Sequence, residues 1–450
     1  MTGKPALTQE IARYAVETRF DALPPAVRHE AARAWLNWVG VAIAGSRESA
    51  PALAARMVAA QGTGGKATII GHGVRTDMAS AAFVNCIASS VLAFDDAHLP
   101  SVAHPSGPAA AALFALAQSR SISGEELLNA LALGIEVQCR LANMLVLPPG
   151  PVDTSYYVNG LSGPIGVAAA MGRLLGLDRQ AMGWAIGIAA SQGSGFRSTH
   201  GTMTAHFRPG HATRCGVTAA LLAAEGFDCT DDALEADGGF FDVYARGSDP
   251  AIALADLGTH HEMLRNRYKP YPCGIVIHPV IDACQSIRAQ AMAQASPIAQ
   301  VRLLVNPLVL RLTGKREPRT MLESHVSVFH WASVALLQDR PGIAATQPDS
   351  LTDPHIARLR ALITADPVPD MGKGEARVEA ILADGSQVTA HVEHARGSIE
   401  RPMTDNELDT KFMDLAEGQL GSQASALLRD ACWRVATMDD VGAELGPLIP

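Results

Sequence analysis

The sequence predicts a mainly α protein, with a large all-helical domain joined to a smaller α+β domain. Three observations predict it. Apolar residues recur at helical spacing between Gly- and Pro-marked loops from about residue 6 to 260. Beyond about residue 265 extended runs appear, and Asp384-Gly385 sits between two alternating apolar runs as a hairpin turn. Aromatic residues make up only 5% of the chain, whereas Ala and Gly abound, a composition suited to close helix-on-helix packing.

The elements follow in order. Residues 8–19 place Ile11, Ala12, Tyr14 and Ala15 at helical spacing. Pro24-Pro25 opens the next helix, which runs to about residue 45. Segments 50–61, 81–92 and 108–117 are small-residue helices. A helix over 123–133 opens on Ser123 with acidic residues in its first turn. Segments 163–175, 179–193 and 212–226 are further helices, the last ended by Gly226. In the second part, 301–305 and 308–312 read as extended, 326–337 and 352–365 as helical, and 377–382 with 387–392 as the hairpin. Helical pattern returns at 407–417 and 424–434. The expected division is 1–267 with 393–450 for the helical domain and 268–392 for an α+β lid.

With 450 residues and 48% hydrophobic content the chain can bury a large core, and its length favours two domains. A net charge of -9 argues against nucleic acid as a partner. Seven cysteines without a CxxC pair suggest a reduced, cytoplasmic protein. The N-terminal residues carry charges and lack an apolar run, so no secretory leader is expected. No run is apolar enough for a membrane span.

The segment from Phe94 to Gly107 is the strongest candidate site. It holds Asp95, Asp96, His98 and His104 between two apolar helices. A buried carboxylate is costly unless paired, and His with Asp supplies acid–base chemistry near neutral pH. Helix capping would explain Asp95-Asp96 equally well. Tyr156-Tyr157 precedes a helix and offers a phenol, or simply an aromatic packing pair. His206, Arg208 and His211 form a basic segment that suits a carboxylate, or a solvated loop. Lys269 to His278 is a Pro- and Gly-fixed stretch at the domain junction, where small-molecule clefts concentrate, although a rigid linker would look the same. His325 and His330 precede or begin an apolar helix, a place where satisfied structural histidines are common. No metal-ligand spacing, P-loop, GxSxG or strand-linked GxGxxG is present, so neither a metal nor a nucleotide is expected.

Several of these segments together resemble the MmgE/PrpD family, whose members dehydrate 2-methylcitrate, decarboxylate cis-aconitate or epimerise iminodisuccinate. The matching residues are Asp95-Asp96 with His104-Pro105-Ser106-Gly107, the stretch ending Leu174-Leu175-Gly176-Leu177-Asp178, and Gly201-Thr202-Met203-Thr204 with Gly210. Lys269-Pro270-Tyr271-Pro272-Cys273 with His278 and Asp282-Ala283 is the sharpest match, and Pro402-Met403-Thr404 with Lys411-Phe412 also fits. The resemblance implies an active site between the two domains, a homodimer, no required cofactor, and removal or return of a proton on carbon next to a carboxylate.

The chain departs from the family pattern at Ala93, Ala97 and Ala205, and carries Tyr157, Arg208 and His330 where the family usually has other residues. The expected reading is therefore a cofactor-independent, dehydratase-type lyase on a small hydroxy- or polycarboxylate. His104 and His278 would be the acid–base pair, with Asp95 or Asp96 orienting His104. Arg208 and Lys269 would bind carboxylate, assisted by His206, and Tyr157 and His330 would shape the pocket or carry a proton. An epimerase of an iminodisuccinate-like dicarboxylate is the alternative, and a binding protein without catalysis is the third reading.

Overall fold

Small side chains bring the helices of the large domain unusually close. A Cβ on Gly45 would meet the Ala88 carbonyl oxygen at 2.1 Å, and one on Gly166 would meet that of Gly134 at 2.6 Å. Only glycine permits such backbone approach. The computed structural model describes residues 6–62, 64–148 and 155–450. The first five residues, part of the stretch read for a leader, lie outside the described residues.

The central helices are Pro25–Gly45, Met78–Ser90, Ser106–Ala117, Gly124–Val146, Val158–Leu175 and Thr204–Ala224. Trp35, Trp38 and Phe114 pack together at the heart of this bundle and are buried. Ser123 caps its helix by accepting from the Glu126 amide, as its sequence suggests. A second apolar group gathers Leu7, Ile11, Ile165 and Ile186 beneath the N-terminal helix Leu7–Glu17.

The smaller domain holds a four-stranded sheet in the order Ile363–Pro367, Ile298–Val305, Ala376–Leu382, Gln387–Val392. The first pair is parallel and the others antiparallel. The helices His278–Ala293 and Val328–Leu337 supply Ile281, Ile287 and Trp331 to its core, beside Val301, Leu303 and Val378. After the sheet, helix Asp405–Leu420 starts on a Thr404/Glu407 capping box and returns to pack on Pro25–Gly45.

Three elements differ from the sequence expectation. Residues 308–312 are helical, inside Pro307–Thr313, because Asn306 caps a turn that Pro307 starts. The helix expected over 352–365 ends at Ala361, and Ile363–Pro367 becomes a strand paired to Ile298–Val305. The helical domain also carries two short ribbons, Ala67–Ile69 with Val74–Thr76 and Asp96–His98 with Asn266–Tyr268. The second sets the candidate site.

Candidate active site

The antiparallel ribbon pairs Asp96 with Tyr268 and so lays residue 95 beside residue 269. The Lys269 amide donates to the Asp95 carbonyl (3.3 Å), and the Lys269 ammonium reaches Asp95 Oδ1 at 2.5 Å. Both side chains are almost buried. Beneath them lies Lys411, from Asp405–Leu420. Its ammonium donates to Asn37 Oδ1 (2.8 Å) and to the carbonyls of Phe94 (2.7 Å) and Lys269 (2.9 Å). All three protons of a buried ammonium are thereby used, and the two backbone stretches carrying Asp95 and Lys269 are tied together. Burial pushes Lys411 well below the usual lysine value, although Asp95 opposes that shift.

His104 closes the cluster. Its Nδ1 lies 2.6 Å from the Asp96 carbonyl and 3.3 Å from Asp95 Oδ2. A carbonyl can only accept, so Nδ1 carries the proton and Nε2 keeps its lone pair. The His104 amide is fixed by Asn159 Oδ1 at 2.6 Å. Burial lowers the His104 pKa below 6.5 despite the Asp95 charge. Burial works against an ionised Asp95, but His104 and Lys269 outweigh it and hold this carboxyl below its usual range. Two non-glycine residues of this loop, Ala93 (φ 50°) and Val102 (φ 56°), adopt left-handed backbone, and both line the cavity described next. That conformation is costly for a β-branched residue and is found where surrounding structure enforces it.

A cavity of about 480 Å³ opens over Asp95, His104 and Lys269, walled by both domains. From the large domain come Tyr157, Arg197, His200, His206 and Arg208, and from the smaller domain Ile275, Leu308, Arg311, His325 and Lys373. The segment before helix Val158–Leu175 and the segment before helix Thr204–Ala224 are clamped to each other. Tyr157 and Arg197 amides donate to the Gly195 and Ser155 carbonyls at 3.0 and 2.9 Å. The Ser194 carbonyl lies 1.8 Å from where a Cβ on Gly160 would stand, so only glycine fits there. The Arg208 guanidinium lies over the Tyr157 ring, 3.9 Å from its centre. Burial raises the Tyr157 pKa to about 12, which keeps this phenol protonated. Burial also lowers His206 and His325 to about 3 and His200 to about 4, so the imidazoles are neutral at pH 7. Positive charge in the cavity therefore comes from lysine and arginine, and Asp95 is the acidic side chain among its described lining residues.

Two family models match the chain: the MmgE/PrpD N-terminal domain over residues 9–253 and the MmgE/PrpD C-terminal domain over 271–435. The chain belongs to the MmgE/PrpD family. It is an enzyme of that family. Among its relatives is the cis-aconitate decarboxylase of Homo sapiens, 26% identical over 75% of this chain and 73% of that one. The cis-aconitate decarboxylase of Aspergillus terreus is 24% identical over 92% of this chain and 90% of its own. That of Mus musculus is 26% identical over 74% of this chain and 70% of its own.

The residues that the sequence marks as candidates do not all reach the cavity. Asp95, His104, Tyr157, His206, Arg208 and Lys269 line it together. Asp96, expected as a catalytic or orienting carboxylate, points the other way. Its Oδ2 accepts from the Ser106 amide (3.1 Å), the Ser106 hydroxyl and Asn266 Nδ2 (2.6 Å), so its side chain braces the ribbon while its carbonyl orients His104. His278, expected as the second member of the acid–base pair, is not among the residues lining this cavity. It starts helix His278–Ala293, is 1% exposed, sits edge-on to Tyr271, and lies outside the cavity wall. His330, expected to bind substrate, is buried in the smaller domain, where Nε2 donates to the Ala345 carbonyl at 2.7 Å. Its place on the cavity is taken by His325, held because the Gly274 amide donates to the His325 carbonyl (2.9 Å). Arg208 spends Nε and Nη1 on the Ala205 and Phe196 carbonyls, so it braces the wall as well as charging it.

Sequence reasoning passed over Arg197, Arg311 and Lys373. Arg311 was hidden by the extended reading of its segment. In the helix, Leu308, Arg311 and Leu312 share one face at i, i+3, i+4 spacing and all line the cavity. Among the described residues no group of three or more metal-ligating side chains is assembled, and no helix is long and apolar enough to cross a membrane.

Proposed function

We propose that this chain is a lyase acting on a small polycarboxylate, with His104 as the base that removes a proton from carbon next to a carboxylate. One observation carries the reading: the Nδ1 proton of His104 is committed to the Asp96 carbonyl, which leaves a basic Nε2 on a cavity whose charged lining residues, Asp95 apart, are cationic. A neutral imidazole below its usual pKa is a competent base at pH 7. Asp95 stabilises the imidazolium as it forms, and Lys269 neutralises Asp95 and attracts the substrate carboxylate whose negative charge grows as the proton leaves. The Tyr157 hydroxyl, protonated at neutral pH, is the proton donor for a departing hydroxide in dehydration.

Decarboxylation is the second reading, favoured by the names of the relatives. There the cations would anchor two carboxylates while the third, set against the apolar wall of Leu161, Leu308 and Leu312, leaves as carbon dioxide and the electron pair left on carbon takes a proton from the Tyr157 hydroxyl, which solvent restores. Proton NMR in deuterium oxide with citrate-like, aconitate-like and succinate-derived acids separates these outcomes. A new alkene with water lost supports dehydration, and loss of carbon dioxide supports decarboxylation. Deuterium entering an unchanged acid would select the epimerase alternative, and inertness across the panel would refute the lyase reading.

A further inference from the structure

Arg197 and Arg311 face the same cavity from opposite domains. Arg197 lies in the short turn Arg197–Thr199 of the large domain, and Arg311 in the helix Pro307–Thr313 of the smaller one. Among the described residues neither has a carboxylate within ion-pair reach, nor has Arg208 beside them. The Arg197 Nε is buried and has no acceptor. Buried donors of this kind are ordinarily satisfied, and a guanidinium left without a partner is an open request for an anion. Burial depresses the Arg197 pKa, and the charges of Arg311 and Arg208 depress it further, which reports how close the like charges stand.

Local structure fixes Arg197 in place. The Arg197 amide donates to the Ser155 carbonyl (2.9 Å), and the Ser194 amide donates to the Gly160 carbonyl (3.0 Å). Holding cations together without an acid is unfavourable in the empty protein and becomes favourable once an anion arrives.

We propose that Arg197 and Arg311 form a second carboxylate subsite, separate from Lys269, that takes a distal carboxylate of a di- or tricarboxylic substrate and bridges the two domains. This rests on the lyase reading and deepens it by naming the two side chains, one from each domain, that would hold the second carboxylate. Arginine suits the role because its planar fork matches a carboxylate bidentately.

The test is calorimetric binding of tricarballylate, a saturated tricarboxylate with neither hydroxyl nor double bond, to the full chain. The expected result is measurable binding by the wild type and a roughly ten- to hundredfold weaker Kd in Arg311→Met and Arg197→Met, the loss typical of charge-assisted hydrogen bonds. Arg311 is solvent-exposed, so Arg311→Met should fold, and Arg311→Lys should recover part of the affinity. Equal affinity in wild type and Arg311→Met, or no binding by the wild type, overturns the subsite. Arginine-dependent binding in a protein that turns over no polycarboxylate would uphold the subsite and sink the lyase reading. Turnover with a KM unchanged by Arg311→Met would do the reverse.

Discussion

The Lys269 ammonium and the Asp95 carboxylate are 174 residues apart in sequence and 2.5 Å apart in space. The ribbon between Asp96–His98 and Asn266–Tyr268 makes that contact unavoidable, since its register sets residue 95 against residue 269. The pair neutralises a carboxylate that His104 also touches, and so tunes the candidate base.

Removing one partner of such a pair strands the other charge. Lys269→Met should cost about 3–5 kcal/mol of stability. The double variant Asp95→Asn/Lys269→Met should regain most of it, because no unpaired charge remains, yet stay inactive. Urea denaturation of both variants checks this. Equal stability losses in the single and double variants would contradict it.

His104 sets the acid limb of the pH–activity profile. A base must be neutral, and burial places its folded pKa below 6.5. Activity should therefore be level above pH 6.5 and fall only as the pH drops through the lowered value. His104→Gln should abolish turnover while its circular dichroism matches the wild type. A limb above 6.5 would point to another base.

His98 and Glu262 predict acid sensitivity. The two are buried and 2.8 Å apart, and Glu262 is held at about 2 because the bond to His98 overcomes burial. The carboxylate pKa is depressed on folding, so its contribution is complete above the unfolded value near 4.5 and is lost as the pH falls through 2. Up to about 3 kcal/mol is at stake over that window. Glu262→Gln should flatten the fall in stability between pH 5 and 2, measured by thermal unfolding, relative to the wild type.

His278 and His330 should behave unlike His104. Neither lines the cavity, and His330 is engaged with the Ala345 carbonyl. His330→Ala should lower the melting temperature by leaving that buried carbonyl unpaired, at about 1–3 kcal/mol, with KM unchanged. His278→Gln should retain measurable turnover. A loss as complete as that of His104→Gln would restore His278 as a catalytic group.

Gly160 tests the clamp beneath the arginines. A Cβ there would lie 1.8 Å from the Ser194 carbonyl. Gly160→Ala should displace the segment carrying Arg197, raising KM for a polycarboxylate more than it lowers kcat. An unchanged KM in a folded variant would mean that Arg197 does not contact substrate.

Periodicity made most helices legible, because helices such as Pro25–Gly45 and Gly124–Val146 are punctuated by proline or a serine cap. The hairpin at Asp384-Gly385 was legible for a similar local reason. What escaped was set by distant partners. Ile363–Pro367 is a strand because Ile298–Val305 offers it a parallel edge, whatever its local propensity. At the site, Asp95, His104 and Lys269 stood out because buried charge among apolar residues is conspicuous. Asp96 looked identical to its neighbour, and only the alternation of an unforeseen strand turned the two side chains to opposite sides. Arg197 and Arg311 carried no local signal, since lone arginines are common and their meaning lies in sharing one cavity.

The ribbon and Lys411 also fix an order of assembly. Asp95 emerges from the ribosome long before Lys269, and Lys269 long before the helix that bears Lys411. The early helices can pack locally, but the acid–base centre lacks its Lys411 brace until the last part of the chain is made. A nascent or truncated chain lacking Asp405–Leu420 would thus keep Asp95 and Lys269 but lack the Lys411 ammonium that ties their two backbone stretches together.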